Sequence, residues 1–111
     1  MVALRFWALT RRGRARAGKH HLAYHRDKDA KVYGDAPVIA SVSFGCERDF
    51  ELRKCKATDE KYVFALGGGA ALLMHGANCQ KTWEHGVPAR AGAPPGGRIN
   101  LTFRYRIPGA A

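Results

Sequence analysis

Polar and apolar side chains alternate without a break in the run RINLTFRY near the end of the chain. Arg98, Asn100, Thr102 and Arg104 fall on one face of an extended segment, with apolar residues between them. Side chains of a β-strand alternate between the two faces of its sheet, so this pattern predicts a strand with one buried face. Taken alone, it is typical of a surface strand that shows its polar residues to water.

Other short segments also have the pattern of strands separated by turn residues. The predicted strands are residues 22–27, 37–44, 50–53, 61–66 and 70–74. The second of these is rich in β-branched and aromatic residues, which suits a strand in the centre of a sheet. The last two are predicted to pair as a hairpin, joined by the glycine triplet 67–69, because glycine permits a tight reversal. The triplet is not followed by the Lys-Ser/Thr pair and the helix of a phosphate-binding loop, so we interpret it as a turn.

Composition restricts the class of protein. The 111 residues are 46% hydrophobic and 25% charged, which indicates one soluble globular domain. No apolar run approaches the roughly 20 residues that span a bilayer, so we expect no transmembrane segment. Cys46, Cys55 and Cys79 are odd in number and form no Cys-x-x-Cys pair, which indicates idle thiols in an intracellular protein.

The formal net charge of +10 is concentrated at the beginning of the chain. Seven basic residues precede the first acidic residue, Asp27, whereas twelve basic and nine acidic residues lie from Asp27 onward. A basic arm attracts phosphate backbones without sequence choice, and its affinity falls as salt rises. A solvated tail is an equally simple interpretation of residues 1–20.

The same segment bears on localisation. A basic run of this kind also occurs in nuclear localisation signals, so we expect the protein to be located in the nucleus. The Arg-rich, acid-free residues 1–19 partly resemble a transit peptide to a mitochondrion or chloroplast, although they contain no serine. The cytoplasm is a further alternative.

Three residues have the composition of a metal site. His25 and Asp27 share a face if their segment is a strand, and His85 follows far downstream. Two histidines and one carboxylate are the ligands of non-haem Fe(II) oxygenases, which leave open positions on the metal. A ligand from a distant strand requires a fold that encloses a pocket. We therefore expect an all-β core that forms a double-stranded β-helix, as in jelly rolls and cupins.

Several blocks of the sequence together carry a family resemblance. They are YHRDKD, PVIASVSFGCERDFELRK, ALLMHG, QKTWEHGVP and RINLTFRYRI, and they cover about residues 22–107. In these blocks the chain resembles the AlkB-type Fe(II) and 2-oxoglutarate-dependent dioxygenases, in particular the eukaryotic DNA-repair alkB homologues two and three.

The resemblance implies a role for each residue that matches a family motif. His25, Asp27 and His85 correspond to the iron ligands, and no catalytic residue is expected beyond them. Arg98 and Arg104 correspond to the arginines that bind the two carboxylates of 2-oxoglutarate, a task that suits the planar guanidinium group.

Further residues match the pocket walls or depart from the family. Asn100 and Thr102 correspond to residues that line the 2-oxoglutarate pocket, whereas Trp83 and Gln80 are expected to pack behind it. Lys28 stands where the DNA-repair relatives carry an acid near the substrate base. Its charge disfavours a cationic methylated base, so we expect an altered substrate choice.

The implied function is oxidative demethylation of N-alkylated bases of the 1-methyladenine or 3-methylcytosine type, in DNA or RNA. It uses Fe(II), 2-oxoglutarate and dioxygen (O2), and it releases formaldehyde, succinate and carbon dioxide. The partner is nucleic acid whose target base is flipped out or single-stranded, with no membrane involved and the oligomeric state open. The alternative is a truncated, non-catalytic homologue or gene-model fragment that binds metal or nucleic acid.

The beginning of the chain departs most from the family. The positions of a family Asn-x-Tyr element that helps bind 2-oxoglutarate hold Gly13 and Ala15. We therefore expect residues 1–20 to lie outside the family domain, with residues 1 to about 19 foreign to it. Residues 21–108 are then the C-terminal part of a dioxygenase domain that is incomplete at its N-terminal side.

Overall fold

The computed structural model describes residues 2–9, 21–76, 78–90 and 96–109. These residues form eight strands and one short helix. In chain order they are β1 (Val2–Leu9), β2 (Leu22–His25), α1 (Ala30–Tyr33), β3 (Ile39–Gly45), β4 (Arg48–Lys54), β5 (Ala57–Leu66), β6 (Ala70–Met74), β7 (Trp83–Val87) and β8 (Arg98–Tyr105).

The strands form two antiparallel sheets of four, in the orders β1-β8-β3-β6 and β2-β7-β4-β5. Among the residues whose side chains the structure describes, five buried apolar side chains form a core between the sheets. Ile39 and Met74 come from the first sheet, and Phe50, Leu66 and Val87 come from the second. This two-sheeted arrangement confirms the predicted all-β, jelly-roll class.

The strand β3 lies in the centre of the first sheet, as the sequence predicted. It pairs with β8 along its whole length and with β6 from Ile39 to Ser43. Its inner face holds Ile39, Ser41 and Ser43, which are all buried. The polar face of β8 likewise points into the molecule, since Arg98, Thr102 and Arg104 are buried and Tyr105 is exposed.

The predicted hairpin between residues 61–66 and 70–74 is wrong. Both segments are strands, but β5 pairs with β4 and β6 pairs with β3, so they belong to different sheets. Lys56, with a φ of 67°, lies in a tight turn between β4 and β5, and this turn makes β4 the antiparallel partner of β5. The glycine turn instead carries the chain to the other sheet, and Gly69 N–H donates to the Ser43 carbonyl at 2.8 Å.

The structure contains one strand in the N-terminal segment that the sequence did not predict. Strand β1 pairs with β8 from Val2 opposite Tyr105 to Leu9 opposite Arg98, and it occupies the edge of the first sheet. The family boundary near residue 20 stays a prediction. Gly13, Ala15 and residues 91–95 of the loop between β7 and β8 lie outside the described residues. Within the described part of the chain, no helix is long and apolar enough to cross a membrane.

Candidate metal centre and co-substrate pocket

The two candidate histidine ligands come from neighbouring strands. His25 is the last residue of β2 and lies opposite His85 of β7 in the strand register. Their ring centroids are 4.4 Å apart. With Asp27, they offer three ligand atoms that all lie within 4.8 Å of one another. The structure therefore brings the predicted ligand set together at one point.

Asp27 reaches this point in a way that differs from the sequence prediction. The predicted strand 22–27 ends at His25, so Asp27 does not share a strand face with it. The backbone N–H of Asp27 donates instead to Oε1 of Gln80 at 2.9 Å. Gln80 is buried, and its amide nitrogen contacts the Met74 sulfur at 3.9 Å. Gln80 thus holds the segment that carries the carboxylate, in line with its expected place behind the pocket.

Both histidines are placed to offer a ring nitrogen to a metal. His25 Nδ1 lies 2.9 Å from the Ala23 carbonyl oxygen, which can only accept, so Nδ1 donates this hydrogen bond and Nε2 is the ring nitrogen left for a metal. Burial lowers the pKa of His85 to about 4, and the charges of His25 and Arg104 act in the same direction, against that of Asp27. His85 is therefore neutral near pH 7. Phe50 stacks on its ring at 5.5 Å.

Arg104 is tied to the candidate metal ligand. Its Nη2 donates to Asp27 Oδ1 at 2.9 Å, and the two side chains are only 9% and 14% exposed. Asp27 Oδ2 accepts no hydrogen bond from the described residues, and Arg104 Nε and Nη1 find no acceptor there. The arginine thus neutralises one carboxylate and keeps two buried donors for another acceptor.

Arg98 lies farther along the same face of β8. Its Nη2 donates to Ser43 Oγ at 2.7 Å, whereas its Nε has no acceptor among the described residues. Burial lowers the pKa of this guanidinium, and the nearby charge of Arg48 lowers it further. Contact with an anion would stabilise the charged form of this guanidinium.

Asn100 and Thr102 are part of a hydrogen-bond network within the first sheet. The Asn100 amide nitrogen donates to Ser41 Oγ at 2.8 Å and to Ser43 Oγ at 3.1 Å. The Thr102 hydroxyl donates to the Asn100 side-chain oxygen at 2.9 Å. Asn100 therefore lines the cavity, but its amide group is already hydrogen-bonded to the neighbouring strand β3 and to Thr102 of its own strand.

These residues surround one cavity of about 220 Å³ between the two sheets. It is lined by His21, Leu22, His25, Asp27, Ser41, Phe50, Met74, His85, Val87, Arg98, Asn100, Thr102 and Arg104. Two imidazoles and a carboxylate are a donor set that fits Fe(II). The unsatisfied guanidinium nitrogens fit the carboxylates of 2-oxoglutarate. The residues that line the cavity thus suit both Fe(II) and 2-oxoglutarate.

Two predicted residues lie at or beyond the rim of this cavity. Lys28 is exposed directly after Asp27 and does not line the cavity. Trp83 packs against Tyr62, with ring centroids 5.6 Å apart, which agrees with a packing role. The sequence prediction missed Ser41 and Ser43. Their signal was present, since both alternate with apolar residues in the central strand and therefore share the face of Ile39.

Comparison with known proteins identifies the family. Residues 16–104 match the model of the 2OG-Fe(II) oxygenase superfamily, which is most of the chain. The chain belongs to this superfamily, whose members use Fe(II), 2-oxoglutarate and dioxygen.

Particular relatives are of the AlkB type. The DNA oxidative demethylase ALKBH2 of Arabidopsis thaliana is 40% identical over 113 residues, covering 82% of this chain and 35% of that protein. The Alpha-ketoglutarate-dependent dioxygenase alkB homolog 3 of Homo sapiens is 37% identical over 98 residues, covering 81% and 33%. A solved structure of OsALKBH1 has a TM-score of 0.59 and 26% identity, covering 79% of this chain and 44% of that one. The chain spans about a third of the length of the curated relatives it matches.

Proposed function

We propose that this protein is an Fe(II)- and 2-oxoglutarate-dependent dioxygenase that removes methyl groups from N-alkylated bases of DNA or RNA. The observation that carries the proposal is the convergence of His25, Asp27 and His85 within 4.8 Å, at a cavity that also contains Arg98 and Arg104. The Arabidopsis relative is a DNA oxidative demethylase, which supports the choice of nucleic acid.

Each residue has a task in this proposal. His25, Asp27 and His85 would hold Fe(II). When bound, Fe(II) with 2-oxoglutarate and dioxygen supplies the oxidation that hydroxylates an N-methyl group, so that formaldehyde, succinate and carbon dioxide are released. Arg104 keeps the Asp27 carboxylate oriented, and Arg98 binds a carboxylate of the co-substrate. The apolar wall of Phe50, Met74 and Val87 keeps water away.

Lys28 is the residue that we propose to influence the choice of substrate. It is exposed beside the metal site, so its charge acts on whatever base approaches Asp27. A cationic base such as 3-methylcytosine is disfavoured there relative to a neutral one such as 3-methylthymine. Lys28→Asp is expected to shift the ratio of the two activities toward 3-methylcytosine. An unchanged ratio would remove Lys28 from the substrate site.

The direct test is turnover by the full chain. Purified protein receives Fe(II), ascorbate and labelled 2-oxoglutarate, and succinate is measured with and without an oligonucleotide that contains 1-methyladenine or 3-methylcytosine. Formaldehyde release that depends on the methylated base supports the proposal. The matched control is His25→Ala, which removes one ligand. Metal binding without succinate above this control would instead favour the non-catalytic homologue.

A further inference from the structure

Two serine hydroxyl groups lie on the inner face of β3, next to the polar face of β8. In the strand register Ser43 lies opposite Asn100, and Ser41 lies opposite Thr102. Ser43 is 0% exposed and Ser41 is 5% exposed, and of the two only Ser41 lines the cavity. A hydroxyl group has one proton to donate and two lone pairs, and a buried donor without an acceptor is costly. The direction of the hydrogen bonds at Ser41 therefore determines what this part of the cavity wall can bind.

The hydrogen bonds of this network run in one direction. The side-chain nitrogen of Asn100 lies 3.3 Å from the Val42 carbonyl oxygen, which can only accept, so this atom is the NH2 group and not the amide oxygen. The same nitrogen donates to Ser41 Oγ at 2.8 Å and to Ser43 Oγ at 3.1 Å. The Asn100 side-chain oxygen accepts from the Thr102 hydroxyl at 2.9 Å. Ser41 is thus an acceptor in this network.

The proton of Ser41 has no acceptor in the described part of the chain. Within that part, the hydroxyl takes part in one side-chain hydrogen bond, the one that it accepts from Asn100. Its side chain is almost fully buried and lines the cavity, so the cavity is where the proton can be donated. Ser41 therefore offers an uncharged donor to whatever occupies the cavity, and Asn100 orients that donor before a ligand arrives.

The network of Ser41 belongs to the end of the cavity that lies away from the metal site. Arg104 marks the metal end, because its Nη2 donates to Asp27 Oδ1. Arg98 lies at the other end of β8, and its Nη2 donates to Ser43 Oγ at 2.7 Å. Ser43 also accepts from Asn100, which holds Ser41, so three hydrogen bonds in series link Ser41 to Arg98.

We propose that Ser41 is a further residue that binds the co-substrate, and that its hydroxyl donates a hydrogen bond to the carboxylate of 2-oxoglutarate that is distant from the metal. The proposal rests on the proposed function and deepens it. Arg98 attracts a carboxylate at this end, and a carboxylate has about four lone-pair sites, so it accepts from the arginine and the serine together. Because the hydroxyl is already oriented, little freedom is lost when the ligand binds.

The test measures binding rather than turnover. The full chain is loaded with Mn(II), and 2-oxoglutarate or 2-oxopentanoate is titrated by calorimetry. The second ligand has the same carbon skeleton without the distal carboxylate. Ser41→Ala is expected to weaken 2-oxoglutarate binding by about tenfold, because a hydrogen bond to a charged group is lost. The affinity for 2-oxopentanoate is expected to stay unchanged, because that ligand has no acceptor at this end.

Two further variants separate the hydroxyl group from packing. Ser41→Cys keeps a side chain of similar shape but replaces the hydroxyl by a weak donor, so it is expected to lose nearly as much affinity for 2-oxoglutarate. It carries the test if Ser41→Ala does not fold. Thr82→Ala removes a hydroxyl that does not line the cavity, and it is expected to change neither affinity. A loss in Thr82→Ala that matches that in Ser41→Ala would overturn the proposal.

An Asn100→Ala background distinguishes donation to the ligand from support of Asn100. If Ser41 donates to the ligand itself, Ser41→Ala still weakens 2-oxoglutarate binding severalfold when residue 100 is already alanine. If Ser41 only holds Asn100 in place, the second substitution has no further effect, and the proposal is wrong.

The remaining outcomes are equally decisive. Equal weakening of both ligands in Ser41→Ala would mean that the hydroxyl does not act on the distal carboxylate, and no weakening would mean that it does not bind the co-substrate. Either result overturns the proposal. If the unaltered chain with Mn(II) binds no 2-oxoglutarate, the proposed function itself fails and the role of Ser41 fails with it. If the unaltered chain binds and only the Ser41 results disagree, the proposed function stands.

Discussion

The side chain of Gln80 holds the backbone of Asp27, whose N–H donates to Oε1 of Gln80 at 2.9 Å. Gln80 lies in the turn that precedes β7, the strand of His85, and Asp27 lies just beyond β2, the strand of His25. One partly buried hydrogen bond therefore connects the segments that supply all three candidate ligands. Groups that orient metal ligands in this way commonly change metal affinity by about 10-fold to 100-fold when they are removed.

Replacing Gln80 by methionine is expected to weaken metal binding. Methionine keeps the length of the side chain but accepts no strong hydrogen bond, so the Asp27 segment loses its anchor. We expect the affinity for Mn(II), measured by calorimetry, to fall by about tenfold. The control is Lys81→Met, which introduces the same residue at the next, exposed position. Equal affinities in the two variants would contradict the assigned role.

Arg104→Met is expected to destabilise the metal-free chain more than the metal-loaded chain. The substitution leaves the Asp27 carboxylate buried without its charged partner, a change that typically costs about 3–5 kcal/mol. A bound Mn(II) ion supplies the missing positive charge and restores part of that loss. Urea unfolding with and without saturating Mn(II) measures the difference. Equal destabilisation in both conditions would mean that Asp27 is not a metal ligand.

The main architecture was predictable because it follows from period-two patterns. Segment 37–44 carries enough β-branched residues to indicate a central strand, and the alternation of β8 sets which residues share a face. The alternation alone does not show which face of a strand is buried. In β8 the polar face is buried, and the sequence indicated this only when His25 and His85 were considered with it.

Other features depend on contacts that have no local signal. A glycine triplet permits a hairpin and a crossing between sheets equally well, so the partners of β5 and β6 depend on the competing pairing with β4 and β3. Asp27 reaches the site through Gln80, which is distant in sequence.

Gly86→Ala is expected to separate the two histidine strands. A Cβ at Gly86 would lie 2.8 Å from the Leu22 carbonyl oxygen and 3.2 Å from the Tyr24 nitrogen, both in the backbone of β2. The backbone of β2 must move away to relieve this contact, at a cost of about 1–3 kcal/mol. We expect a lower midpoint of urea unfolding together with weaker Mn(II) binding.

Gly68→Ala is the matched control for this substitution. A Cβ at Gly68 would meet only the Gly45 carbonyl oxygen at 3.8 Å, an ordinary contact, and its backbone does not have a positive φ. This variant is expected to keep both the unfolding midpoint and the Mn(II) affinity. Comparable losses in the two alanine variants would show that the close approach of β2 and β7 does not cause the effect of Gly86→Ala.

Tyr24→Phe is expected to make stability less sensitive to acid. Tyr24 Oη and Lys61 Nζ both donate to the Glu51 carboxylate on the outer face of the second sheet. Burial acts to raise the pKa of Glu51, but these hydrogen bonds and the charges of Lys61 and Arg53 outweigh it, so the pKa is lowered. A lowered pKa in the folded state adds stability above the ordinary carboxyl range, and that stability is lost as the pH falls through the folded-state pKa.

Without the tyrosine hydroxyl, the free energy of unfolding should be smaller at pH 7 and should decline less toward about pH 3. Urea unfolding across this range checks the slope, with Tyr33→Phe as the control. A slope identical to that of the unaltered chain would show that the Tyr24 hydroxyl does not stabilise the charged form of Glu51.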